Sequence, residues 1–220
     1  MPHLAGIRLV AFDLDGTLID SLPDLAVAVD AMLLELDMPA AGEAKVGGWV
    51  GNGSHKLIER ALHDALGEMP DDARLTAAHE RFLDYYAEAP SARTRVYPGV
   101  HEALAALRER GVIVTLITNK PQAFIAPILE SLALAGYFDL TLGGDSLPRK
   151  KPDPAPLLHV AEHFGVAPQH CLMVGDSRHD IDAGKRAGFH TLAVPYGYNH
   201  GEPVSTSRPG AMVESLAQLV

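Results

Sequence analysis

The chain has 220 residues, 47% of them hydrophobic and 21% charged, which suits one compact core of ordinary make-up with a modest insertion. A formal charge of −10 with no basic stripe argues against nucleic acid or an anionic membrane surface as partner, since both require clustered Lys and Arg. No apolar run approaches the ~20 residues that span a bilayer, and Met1 to Arg8 lack a charged-then-apolar leader pattern. A single cysteine, Cys171, allows no intrachain disulfide, so a cytoplasmic protein with a buried, inert thiol is expected.

The first predicted element is the run Ile7 to Phe12, apolar throughout, as in a strand with both faces covered. It leads into Asp13-Leu14-Asp15-Gly16-Thr17. From about Leu22 to Ala89 the pattern turns helical. Leu25, Val29, Met32, Leu33 and Leu36 share one face, as do Leu57, Ile58, Ala61, Leu62 and Ala65, while Leu75, Phe82 and Tyr86 mark a third helix. Residues 21–90 therefore read as an all-helical cap, joined to the rest near Ser21 and near Pro90 to Pro98.

Beyond the cap, Val100, Leu104 and Leu107 predict a helix ended by Gly111, before a second strand, Val112 to Ile117, and the pair Thr118-Asn119. Phe138 to Leu142 is a weaker strand. A loop with Lys150 and Lys151, stiffened by Pro152 and Pro154, precedes a helix with Leu157, Leu158, Ala161 and Phe164 on its apolar face. Two more strands follow, Cys171 to Val174, which leads into Gly175-Asp176, and Thr191 to Val194. This alternation predicts an α/β fold: a Rossmann-like parallel sheet core over residues 1–20 and 91–220, carrying the helical cap.

In open parallel sheets ligands bind outside the carboxyl ends of the strands, where this chain puts its polar residues. Asp13, fixed at a strand end, is a candidate nucleophile that attacks phosphorus. Asp15, two residues on, is the candidate acid and base, protonating the leaving alcohol and then deprotonating water. A turn or helix-cap pair is the competing reading of these acids. Gly16 permits a tight turn, and the Thr17 hydroxyl is expected to bond within the loop. Asp13, Asp176 and Asp15, the last through its main-chain carbonyl, form a hard-oxygen set suited to Mg²⁺. Asp180 is either a helix cap or a neighbour of the metal site. Thr118, Asn119 and Lys151 are candidates for holding the phosphoryl group, with Lys150 the alternative lysine. The eleven histidines are scattered without zinc-site spacing.

Asp13-Leu14-Asp15-Gly16-Thr17, Thr118-Asn119, Lys151-Pro152 and Gly175-Asp176 with Asp180 resemble, in order, the four motifs of the haloacid dehalogenase-like hydrolases. That resemblance implies an aspartyl-phosphate intermediate on Asp13, a Mg²⁺ cofactor and a cap that closes over substrate. Dehalogenase members lack the second aspartate, so Asp15 favours a phosphate ester. Trp49-Val50-Gly51-Asn52-Gly53, Ile58 to Leu62, Thr118-Asn119-Lys120-Pro121 and Tyr196-Gly197-Tyr198-Asn199 further resemble the bacterial phosphoglycolate phosphatases. The expected substrate is then a small anionic phosphate ester, 2-phosphoglycolate first, with pyrophosphate or a sugar phosphate as the alternative. A phosphomutase or an inactive binding module ranks lower. His55, Lys56 and Arg60, or the N–H groups of the glycine loop, are candidates for the substrate's carboxylate. Oligomeric state is not legible.

Overall fold

The computed structural model describes residues 4–220. Met1 to His3, the start of the segment read above for a leader pattern, lie outside the described residues. Strand β1 (Leu9–Phe12) is fully buried. Its alternate side chains enter two different cores. Val10 and Phe12 join one apolar cluster, while Leu9 and Ala11 join another on the opposite face of the sheet. This two-sided burial is why the run is apolar without alternation.

After β1 the chain makes β2 (Ile19–Asp20) and then four helices: α1 (Leu22–Glu35), α2 (Glu43–Gly47), α3 (Ser54–Leu66) and α4 (Asp72–Glu88). Strand β3 (Arg95–Val96) returns antiparallel to β2, pairing Ile19 with Val96 and Asp20 with Arg95. Buried Asp24 in α1 ties the return segment down a second time. Its carboxylate accepts from the main-chain N–H groups of Arg93 and Thr94 and from the Thr94 hydroxyl, at 2.6–3.0 Å. Helix α4 packs on α1 and α3, and the predicted apolar faces of these helices are buried between them.

The remaining elements are α5 (Val100–Glu109), β4 (Ile113–Ile117), α6 (Ile125–Ser131), β5 (Leu140–Leu142), α7 (Ala155–His163), β6 (Cys171–Gly175), α8 (Arg178–Ala187), β7 (His190–Ala193) and β8 (Ala211–Met212). Among the described residues six strands form one parallel sheet in the order β5-β4-β1-β6-β7-β8. The predicted strand Thr191 to Val194 begins one residue earlier, and Phe138 to Leu142 shortens to its last three residues. Strand β1 sits between β4 and β6, where the chain's progression across the sheet reverses. At such a switch point the loops after adjacent strands diverge and leave a crevice. The residues that follow β4, β1 and β6 are Thr118, Asp13 and Asp176.

Candidate active site

Four charged groups crowd that crevice. Asp13, Asp176 and Asp180 are buried, and one oxygen from each lies within 4.8 Å of the others. Lys151, 1% exposed, places its ammonium 2.8 Å from Asp13 Oδ1 and 2.7 Å from Asp180 Oδ1. Lys151 rather than Lys150 is thus the lysine beside Asp13; Lys150 donates to the main-chain oxygen of Asn52 at 3.0 Å.

Each acid is fixed by its local backbone. Asp13 Oδ1 accepts from the Leu14 N–H at 2.7 Å. Asp180 forms a capping box with Ser177 at the start of α8, its Oδ2 accepting from the Ser177 N–H and hydroxyl. Its Oδ1 is the atom beside Lys151, so one side chain serves both as helix cap and as a member of the charged cluster. Asp176 accepts from the Thr17 hydroxyl at 2.8 Å and from the Tyr198 N–H at 2.6 Å. The Thr17 contact differs from the bond expected within its own loop. Gly16, at φ +85°, turns the chain sharply enough to carry that hydroxyl across to the end of β6. A Cβ on Gly16 would lie 2.3 Å from Asp176 Oδ2, so nothing larger fits there.

Electrostatics mark the cluster as incomplete. Burial, reinforced by Asp180, raises the Asp13 carboxyl to about 7 against the pull of Lys151. Burial, with Asp180 and Asp13 as neighbours, also raises Asp176 well above the carboxylate range. Three carboxyls share one ammonium, and their donors are all hard oxygens. A divalent cation of the Mg²⁺ type would supply the missing positive charge, so the residues fit one.

Asp15 faces elsewhere. Its carboxylate accepts from the Ser21 hydroxyl at 2.6 Å, and both its oxygens accept from the Lys120 ammonium, at 3.0 and 3.1 Å. Lys120 is 5% exposed and lies 4.8 Å from the centre of the Tyr86 ring of α4. Against burial, which lowers it, Asp15 and Tyr86 hold Lys120 well above the usual lysine range through Coulomb attraction and hydrogen bonds. Sequence reasoning assigned Lys120 no role, although it directly follows Thr118-Asn119. Asn119 donates its side-chain N–H groups to the carbonyls of Gly51 and Lys151, which links the cap loop to the lysine loop. Thr118 is buried, and its hydroxyl accepts from the Lys120 N–H at 3.2 Å.

A cleft opens over Asp13, Asp15, Thr118 and Asn119. Its other walls come from the helical segment and include Leu25, Val50, Leu57, Phe82 and Tyr86, with Phe124 from the sheet side. None of His55, Lys56 and Arg60 lines it. Lys56 pairs with Glu59 on the surface, and Arg60 donates to the Trp49 carbonyl at 2.6 Å. Two of the three candidates for the substrate's carboxylate thus spend their charge locally. A latch joins the segments elsewhere: the His200 Nδ1–H donates to the Gly48 carbonyl at 3.2 Å, and His200 Nε2 meets His179 Nε2 at 3.3 Å. The Tyr198 phenol adds another tie, donating to Asp20 and accepting from the Leu22 N–H. No described helix is long and apolar enough to cross a membrane.

A profile described as "Hydrolase: haloacid dehalogenase-like hydrolase" matches residues 7–188. The chain belongs to the haloacid dehalogenase-like hydrolases. The phosphoglycolate phosphatase of Pseudomonas putida is 50% identical over 214 residues, covering 97% of this chain and 78% of that protein. The phosphoglycolate phosphatase of Escherichia coli K12 is 45% identical over 236 residues, covering 100% of this chain and 94% of that one. A crystal structure of a predicted phosphoglycolate phosphatase from Haemophilus somnus 129pt superposes with a TM-score of 0.93 at 37% identity, covering 97% and 96% of the two chains. This haloacid dehalogenase-like hydrolase is therefore an enzyme of the phosphatase type.

Proposed function

We propose that the chain is a Mg²⁺-dependent phosphatase that hydrolyses 2-phosphoglycolate to glycolate and phosphate through an aspartyl-phosphate on Asp13. The observation that carries the reading is the junction of Asp13, Lys151, Asp176 and Asp180 beneath a cleft walled by the helical segment. The near full-length likeness to phosphoglycolate phosphatases supplies the substrate. In this reading residues 1–20 and 91–220 are the catalytic core and residues 21–90 the cap, and the enzyme works in the cytoplasm.

Asp13 and Asp176, with the main-chain carbonyl of Asp15, would hold the ion, and Asp180 stands beside them. When bound, Mg²⁺ would offset negative charge on the acids and on the phosphoryl oxygens. The Asp13 carboxylate attacks phosphorus as the bond to the ester oxygen breaks, and that oxygen takes a proton from Asp15, which enters this step in its acid form, to leave as the glycolate hydroxyl. Water then attacks the phosphorus of the aspartyl-phosphate, Asp15 takes the water's proton, and inorganic phosphate leaves with Asp13 restored. Thr118 and Lys151 hold the phosphoryl oxygens through the charge-dispersed transition state, and Asn119 fixes the loops on which Lys151 and Gly51 sit.

A panel of 2-phosphoglycolate, pyrophosphate and sugar phosphates, assayed with and without Mg²⁺, tests the proposal. We expect 2-phosphoglycolate to be turned over best and only with the ion. A preference of about tenfold for a sugar phosphate overturns the substrate, and turnover in a chelator overturns the cofactor.

A further inference from the structure

We propose that Lys120 determines specificity by binding the carboxylate of the substrate, an inference that rests on the proposed hydrolysis of 2-phosphoglycolate. Among the described residues Lys120 is the one Lys or Arg lining the cleft over Asp13. Three other basic groups are engaged elsewhere: Lys56 with Glu59, Arg60 with the Trp49 carbonyl, Lys150 with the Asn52 carbonyl. Lys151 stands between Asp13 and Asp180, on the nucleophile's side. Lys120 stands on the other side, 3.0 Å from Asp15, the group that faces the leaving oxygen in the proposed reaction.

That position matches the substrate's connectivity. In 2-phosphoglycolate one methylene separates the ester oxygen from the carboxylate. A cation touching the acid that protonates the ester oxygen is therefore within reach of the carboxylate one carbon further on. An ammonium has three donors: the Tyr86 phenol takes one and the two oxygens of Asp15 the others, and when Asp15 carries the proton that it donates, the N–H on that oxygen is released to the substrate's carboxylate. The surroundings strengthen the contact. Lys120 is buried, and Tyr86, itself packed against Phe82 and Phe124, presents its ring face to the ammonium. A site this acidic repels a substrate bearing both phosphate and carboxylate unless each anion meets a cation. Lys151 meets the first and Lys120 the second.

The test compares kcat/KM for 2-phosphoglycolate and ethyl phosphate, which keeps the ester and methylene but ends in a methyl group. Wild type, Lys120→Met and Lys120→Arg are assayed with Mg²⁺. Because Lys120 also holds Asp15, Lys120→Met is expected to slow both substrates; the ratio between them isolates the contact with the carboxylate. We expect wild type to prefer 2-phosphoglycolate, Lys120→Met to reduce that preference by about tenfold or more, and Lys120→Arg to keep most of it. If Lys120→Met is insoluble, Lys120→Gln takes its place with the same expectation. A wild-type preference that survives loss of the charge overturns the role of Lys120 while leaving the substrate in place. Wild type without the preference overturns both.

Discussion

The two walls of the cleft are built on opposite principles. The sheet-side wall is made of buried charges, each held by two or more short contacts: Asp13 by Lys151 and the Leu14 N–H, Asp176 by Thr17 and Tyr198, Asp180 by Ser177 and Lys151. The helical wall is mostly apolar side chains and glycine backbone, meeting the sheet side through sparse ties such as Lys150 to Asn52 and His200 to Gly48. Reacting groups need placement to a fraction of an ångström, and strand ends provide it. A wall that admits and encloses a small molecule needs shape and dryness, which apolar helices provide.

The comparison can be broken most severely on the sheet side. Asp13→Asn should lower kcat at least about 10³-fold, because the amide cannot serve as nucleophile, while near-ultraviolet circular dichroism stays native. Retained turnover in a clean preparation would remove Asp13 from the reaction. Gly16→Ala should cost roughly 10²-fold in kcat, since the new Cβ displaces Asp176 and the turn needs positive φ. A titration of Mg²⁺ against activity should show a higher concentration needed for half-maximal rate; a wild-type curve would mean that Asp176 tolerates the shift.

A smaller effect concerns the junction between the walls. Burial pushes His179 down to about 4, below the 6.5 of an exposed imidazole. Between those values the unfolded chain binds a proton that the folded chain does not. The stabilisation is thus fully present above about pH 6.5 and is lost as pH falls toward 4, on the order of 1–3 kcal/mol. Urea midpoints across that range should flatten in His179→Gln relative to wild type, and parallel curves would rule out this residue as the source. The mildest change is expected on the helical side. Lys150→Ala removes one tie to the Asn52 carbonyl and should raise KM by about threefold with kcat nearly unchanged. A large fall in kcat would show that this tie also governs chemistry.

Legibility in the sequence follows the same division. Strands β1 and β6 announce themselves because burial on both faces demands unbroken apolar runs, β4 does so with Thr115 as its one interruption, and the polar residues Asp13, Thr118 and Asp176 stand out after them. The helices α1, α3 and α4 are visible in their periodic apolar faces. Two-residue strands such as β2, β3 and β8 are too short to show a period, and α2 is a single turn within a glycine-rich stretch. Lys120, quoted only within a resemblance, received no role for a different reason: its partner Asp15 is 105 residues away, and no local spacing encodes that meeting. Adjacent lysines 150 and 151 are chemically identical, so only the path of their loop separates the one beside Asp13 from the one beside the cap loop. Thr17 could be placed near the site, but not on Asp176, until the turn at Gly16 was known.

The pairing of β2 with β3 has a consequence for how such a protein can change over time. The four helices α1 to α4 lie between Ile19–Asp20 and Arg95–Val96, and these two points are hydrogen-bonded neighbours. Everything between them hangs from a single doorway. Lengthening, shortening or exchanging that stretch leaves the ends where they were, and the chain-closure cost grows only logarithmically with the number of residues added. One hydrolytic scaffold can therefore be refitted for new molecules by exchanging that stretch, without re-threading the sheet that carries Asp13 and Asp176.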